Sequence, residues 1–89
     1  DTINQCYPAN LTPNERAALV SMAFNMGPGG VGRKDGMCTL KSGRTPTIRR
    51  LFNAGQHKAG CKQIPLWANP PLRGIIKRRA AEEALCLSG

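Results

Sequence analysis

The stretch that decides the fold is Leu11-Thr12-Pro13-Asn14-Glu15-Arg16-Ala17-Ala18-Leu19-Val20-Ser21-Met22-Ala23-Phe24-Asn25-Met26-Gly27. It opens on a capping box: the Thr12 hydroxyl can accept from the third helical N–H, and the Glu15 carboxylate can reach back to the cap. Pro13 falls at the first helical position, where a missing N–H removes no hydrogen bond. From Ala17 to Met26 the run is apolar almost all round, broken only by Ser21 and Asn25 one turn apart, as a buried central helix requires. Gly27-Pro28 stops it.

Downstream, residues 27–44 hold six of the ten glycines and no helical period. Asp35-Gly36 reads as a two-residue hairpin between short strands Val31–Lys34 and Met37–Leu40. The glycines match no nucleotide-binding pattern, neither G-x-G-x-x-G after a strand nor a P-loop. Thr45-Pro46-Thr47 repeats the cap-then-proline signal and starts a second helix with Ile48, Leu51 and Phe52 on one face; Asn53-Ala54-Gly55 ends it. A third helical stretch over about 56–64 turns Cys61 and Ile64 inward and stops or kinks at Pro65. Trp67 reads as a core anchor or, alternatively, as a sugar-stacking surface. The last helix, from about 71 to 85, carries Leu72, Ile75, Ile76, Ala80 and Leu87 as its apolar side, with Arg78–Glu82 and Arg79–Glu83 as i,i+4 pairs. The expected architecture is all-α, one domain over residues 1–89: about four helices around a buried central helix, with a glycine-rich loop or short hairpin.

Composition narrows the function. Eighty-nine residues make one small domain with a thin core. No apolar run approaches the roughly 20 residues that span a bilayer. Cys6, Cys38, Cys61 and Cys86 are too widely spaced for a zinc site, and the single His57 adds nothing to one, so no metal and no cofactor is expected. Two disulfides are the better account; they imply a periplasmic or secreted location, and spacing leaves all three connectivities open. Thirteen Lys/Arg against five Asp/Glu give a net charge of +8, and no acid occurs between Asp35 and Glu82. That block suits an anionic polymer or lipid, or is simply a solvated face. Nucleic acid lacks any recognition motif to accompany the charge. Nor does an acid–base pair stand out among Asp1, Glu15, Asp35, Glu82 and Glu83, and His57 has no triad partner.

Three motifs in order then become recognisable. The Leu11–Gly27 stretch resembles the central helix of the phage-type lysozymes, the endolysin muramidases, which reads roughly L-T-x-x-Q-x-x-A-L-V-S-F-x-F-N-x-G. The resemblance continues through Thr47-Ile48-Arg49-Arg50-Leu51-Phe52-Asn53-Ala54-Gly55. It closes on Leu72-Arg73-Gly74-Ile75-Ile76-Lys77-Arg78-Arg79-Ala80-Ala81-Glu82, similar to the family's L-x-G-L-x-x-R-R-x-x-E. The match covers the family's carboxy-terminal helical lobe. The family's catalytic Glu lies in an E-G segment that opens the mature domain, and nothing in this chain matches it. The resemblance therefore implies a phage or prophage origin and a peptidoglycan partner. It implies hydrolysis of the MurNAc-β-1,4-GlcNAc bond by the complete protein, and inactivity of this chain alone. The general acid then lies on another polypeptide (such as a separate amino-terminal lobe), was cut away or was never there. It also implies Cys61–Cys86 and, by what remains, Cys6–Cys38. Substrate contacts carry over to Phe24 and Asn25, to Thr47, and to Gln63 (or Lys62 with a shift of one). The other reading is a non-catalytic peptidoglycan-binding or cationic membrane-active antibacterial module, resting on the basic block and the amphipathic last helix.

Overall fold

A computed structural model describes all 89 residues. Five helices and one 3₁₀ turn follow in order: α1 (Thr2–Cys6), α2 (Pro13–Met26), α3 (Thr47–Asn53), α4 (His57–Cys61), the 3₁₀ turn Ile64–Trp67, and α5 (Arg73–Leu87). No strand forms; the single β-bridge joins Gly30 to Lys34. The fold is all-α, as the sequence implies.

The capping box of α2 is in place. Glu15 N donates to Thr12 Oγ1 at 3.1 Å, and Thr12 N donates to Glu15 Oε1 at 2.9 Å. Gly27, at φ 68°, ends the helix in a conformation open to glycine, its N–H bonded to Ala23 O at 2.8 Å. Glu15, Ala18, Leu19 and Met22 face the interior. The opposite stripe does not: Val20 is 37% and Phe24 91% exposed, so α2 is central but covered on one side only. Short α1, which the sequence reading leaves unassigned, is capped by Asp1, whose carboxylate accepts from Asn4 N at 2.9 Å. It brings Ile3 into the core and carries Cys6 to Cys38.

Helix α3 begins at Thr47 with Pro46 at the cap position and no side-chain cap, and buries Ile48 and Phe52. Helix α4 is shorter than its periodicity suggests, and the chain tightens into a 3₁₀ turn through Pro65, which cannot continue an α-helical ladder. Gly60 lies against the Phe52 ring so closely that a Cβ there would sit 2.6 Å from it. Tyr7, Phe52 and His57 stack edgewise or tilted, with centroids 5.9 and 5.2 Å apart.

Two expectations are corrected. The hairpin does not form: Gly36 packs backbone to backbone on Gly29, where a Cβ would lie 2.1 Å from Gly29 N, and Asp35 Oδ1 accepts from Lys41 N at 2.7 Å. The loop is a compact glycine-built knot. Met37 plugs it into the core, and Tyr7 Oη donates to Met37 O at 3.0 Å. Arg49 clamps it from α3, donating to Cys6 O (3.2 Å) and Cys38 O (2.8 Å).

Second, α5 faces the other way. Its buried residues are Arg79, Glu82 and Cys86, while Leu72, Ile76 and Leu87 are 60%, 49% and 40% exposed. Cys86 must reach Cys61, and this fixes the rotation of the helix. The polar stripe of α2 then meets the polar face of α5. Arg79 pairs with Glu82 at i,i+3, in place of the i,i+4 pairs, and Glu82 Oε2 accepts from Ser21 Oγ. Both disulfides, Cys6–Cys38 and Cys61–Cys86, have the pairing that the family resemblance implies.

A polar cleft at the candidate functional site

The end of α2, the glycine knot, the start of α3 and the 3₁₀ turn surround an open cleft of about 550 Å³. Asn25 and Met26 come from α2, Lys34, Asp35 and Leu40 from the knot, and Pro46, Thr47 and Ile48 from α3. Gln63, Leu66, Trp67 and Asn69 close the far side. Three amides, one hydroxyl and an indole on a single concave surface suit a neutral ligand with hydroxyl and amide groups and an apolar face. An amide donates and accepts at once, and an aromatic ring covers the apolar face.

Asn25 is held from behind. With its side-chain oxygen turned toward α5, it accepts from Arg78 Nη1 at 2.8 Å and Arg79 Nη2 at 3.3 Å. Thr47 Oγ1 accepts from Arg50 Nη2 at 3.1 Å. Trp67 is half-buried: it packs against the core and also lines the cleft.

The acids are engaged elsewhere. Glu15 caps α2 and touches His57 Nδ1 at 3.0 Å, and Glu82 lies under Arg79 and Ser21. Neither lines the cleft, whose one carboxylate is Asp35. Glycoside hydrolysis by paired carboxylates needs two facing the same bond.

Of the residues carried over from the motifs, Asn25, Thr47 and Gln63 meet in this cleft. Phe24 does not; one position along α2 turns it about 100° away. It lies against a smaller hollow with Ile3, Val20 and Ala23. Lys62, the shifted alternative to Gln63, points to solvent. Sequence reasoning missed Lys34, Asp35, Leu66 and Asn69. The signal for the first two was Cys38: a cross-link from the glycine-rich segment back to Cys6 folds that segment onto the end of α2.

Taken together, these features define a disulfide-stapled helical lobe with an open, amide-lined cleft. Comparison with known sequences gives the family. The model of the phage lysozyme family matches residues 1–82, and the chain belongs to that family. The chain is 28% identical over 92 residues to an endolysin of Bacillus phage PZA, covering 100% of this chain and 31% of that protein. It is 29% identical over 90 residues to a SAR-endolysin of Enterobacteria phage P21, covering 98% of this chain and 47% of that protein. The chain thus spans a third to a half of the length of these relatives. No solved structure matches significantly.

Proposed function

We propose that this chain is the glycan-holding lobe of a phage-type lysozyme, acting on bacterial peptidoglycan outside the cytoplasm. The observation that carries the reading is the convergence of Asn25, Thr47, Gln63 and Trp67 on one cleft in a chain of this family. In the complete protein, water attacks the MurNAc-β-1,4-GlcNAc linkage on one face while a carboxylic acid protonates the leaving oxygen. Asp35 cannot supply both carboxyl groups, so at least one of the pair is assigned to a residue outside this cleft. This lobe orients the sugar through amide hydrogen bonds and shields one ring face with Trp67. Two disulfides suit an oxidising compartment, and no helix is long and apolar enough to cross a membrane.

The test pairs two measurements on the 89-residue chain. Reducing-end release from peptidoglycan is expected to be nil, while peptide-free glycan strands bind. Gln63→Ala removes a hydrogen-bonding side chain worth about 0.5–1.5 kcal/mol, roughly a two- to tenfold rise in Kd. Trp67→Ala weakens binding as well, and Phe24→Ala leaves it unchanged. Turnover by the chain alone, or strand binding indifferent to Trp67 and Gln63, overturns the reading.

The outward apolar stripe of α5 favours a second reading, a cationic module that acts on anionic lipid. It requires leakage of anionic vesicles that disappears with Ile76→Ser and fades with salt.

A further inference from the structure

Asn25 is the one cleft amide with a fixed direction. Three amides line the cleft, those of Asn25, Gln63 and Asn69, and only Asn25 is bonded through its side chain. An amide accepts at its oxygen and donates at its nitrogen, so whichever end is taken from behind decides what the front offers. Here both groups behind it are guanidiniums: Arg78 Nη1 at 2.8 Å and Arg79 Nη2 at 3.3 Å donate to the side-chain oxygen. Reversing the amide would set its N–H protons against two cations that cannot accept. The Nδ2 group is therefore turned away from α5, and it makes no hydrogen bond within the chain. Neither arginine lines the cleft. Arg79 is buried and already paired with Glu82, whereas Arg78 is exposed, has no ion-pair partner and makes its only side-chain bond to Asn25.

Building on the glycan reading of the cleft, we infer that Arg78 is a positioning residue. It locks the Asn25 amide with its donor end toward the cleft, so that this wall selects an acceptor oxygen, the acetamido carbonyl of an N-acetylated sugar. The chemistry singles out that group. A hydroxyl both donates and accepts, so it satisfies an amide of either orientation and gains nothing from a lock. An acetamido carbonyl only accepts. Its de-N-acetylated counterpart carries an ammonium, which only donates, and a fixed Nδ2 meets it donor against donor. Arg78 thereby sets a preference for N-acetylated over de-N-acetylated glycan without lining the cleft that holds either.

Equilibrium binding of the 89-residue chain tests this with two peptide-free probes of equal length at mildly acid pH. One is a β-1,4-linked N-acetylglucosamine oligomer, the other its de-N-acetylated, ammonium-bearing form. One hydrogen bond made to the first and refused to the second gives wild type a preference of about two- to tenfold for the N-acetylated oligomer. Repulsion of the ammonium groups by the basic surface adds to that preference, and Lys77→Gln, which removes one positive charge from the same helix, measures this share. Arg78→Met removes the same charge but also frees the amide to reverse, and it lowers the preference well below that of Lys77→Gln. Arg78→Lys, which keeps the charge and a donor, restores it. Asn25→Asp puts a carboxylate oxygen where Nδ2 stood, and the preference inverts while the fold, followed by far-ultraviolet circular dichroism, is retained. The inference is overturned if Arg78→Met matches Lys77→Gln, if Arg78→Lys fails to restore the preference, or if Asn25→Asp leaves it in place. Absence of binding to both oligomers is a different failure, that of the glycan reading, and the lock falls with it.

Discussion

Removing the Glu82 carboxylate should be the most damaging single change on α5. Arg79 is 3% and Glu82 5% exposed, both at the seam between α2 and α5. Without Glu82, the guanidinium keeps only the Asn25 oxygen as an acceptor, and its Nε already has none. A buried charge stripped of its partner destabilises by about 3–5 kcal/mol. A domain of 89 residues is stable by about 4–13 kcal/mol at ~0.05–0.15 kcal/mol per residue, so Glu82→Ala takes a large share of the total. At roughly 4–8 °C per kcal/mol, the midpoint falls by about 12–40 °C. The companion variant separates charge burial from lost packing. Arg79→Met/Glu82→Leu removes both charges and leaves only Ser21 without its partner, since Asn25 keeps the bond from Arg78 Nη1; Ser21 is exposed enough for water to replace the lost carboxylate. Exchanging a buried pair for apolar side chains is near neutral or stabilising, so the double variant recovers at least about 2 kcal/mol relative to Glu82→Ala. Urea unfolding of the oxidised chain, followed by far-ultraviolet circular dichroism, reads both. If Glu82→Ala stays within about 1 kcal/mol of wild type, or the double variant is as unstable as the single, the assignment of this pair as the α2–α5 lock is wrong.

Three further outcomes are expected. Burial pushes the Tyr7 hydroxyl well above its ordinary value of 10.0. The folded state then keeps a proton that the unfolded chain releases; stability is full below about pH 10 and falls as pH rises beyond it. Tyr7→Phe flattens that alkaline slope and costs about 1 kcal/mol at neutral pH through the lost bond to Met37 O, as urea titrations at stepped pH will show. Cys61→Ser/Cys86→Ser opens a link of sequence separation 25, for which chain entropy gives a loss of about 3.5 kcal/mol, measurable as a drop in the thermal midpoint. Gly36→Ala forces its Cβ onto Gly29 N, 2.1 Å away, and should cost about 1–3 kcal/mol while weakening glycan binding, because Lys34 and Asp35 move with the knot.

Local chemistry made α2 legible. Thr12, Glu15 and Gly27 specify a terminus through hydrogen bonds within a few residues and Pro13 through its missing N–H, and all four act as their types dictate. Helix α1 was opaque for the opposite reason: five residues show no period, and its cap is the side chain of Asp1. The facing of α5 misleads any reading that sends apolar residues inward. Leu72, Ile76 and Leu87 outline a convincing stripe, yet the Cys61–Cys86 bond and the Ser21–Glu82–Arg79 cluster outweigh it, and both are contacts across long sequence separations. Asp35-Gly36 carries a hairpin signal that Gly29 overrides, since only two facing glycines allow the backbones to meet. In the cleft, Asn25, Thr47 and Gln63 could be named because they sit in or beside motifs, whereas Lys34 and Asn69 arrive from loops whose return path no local pattern encodes.

Charge distribution ties the fold to the proposed role. Of the five acids, Asp1 caps α1, Glu15 caps α2 and meets His57, Asp35 holds the Lys41 amide, and Glu82 neutralises a buried arginine. Only Glu83 is without such a task. The thirteen cations divide differently: Arg79 is ion-paired and Arg49 is occupied with main-chain carbonyls, but most others are exposed and unpaired. Negative charge therefore works inside the lobe, at helix ends and seams, and positive charge is left outside, facing the medium. A lobe so built holds itself together without its surface cations, and the proposed role directs these to an anionic envelope. Raising the ionic strength should accordingly weaken attachment to cell walls far more than it weakens the fold, because exposed charges are screened within about 8–10 Å and buried pairs are not.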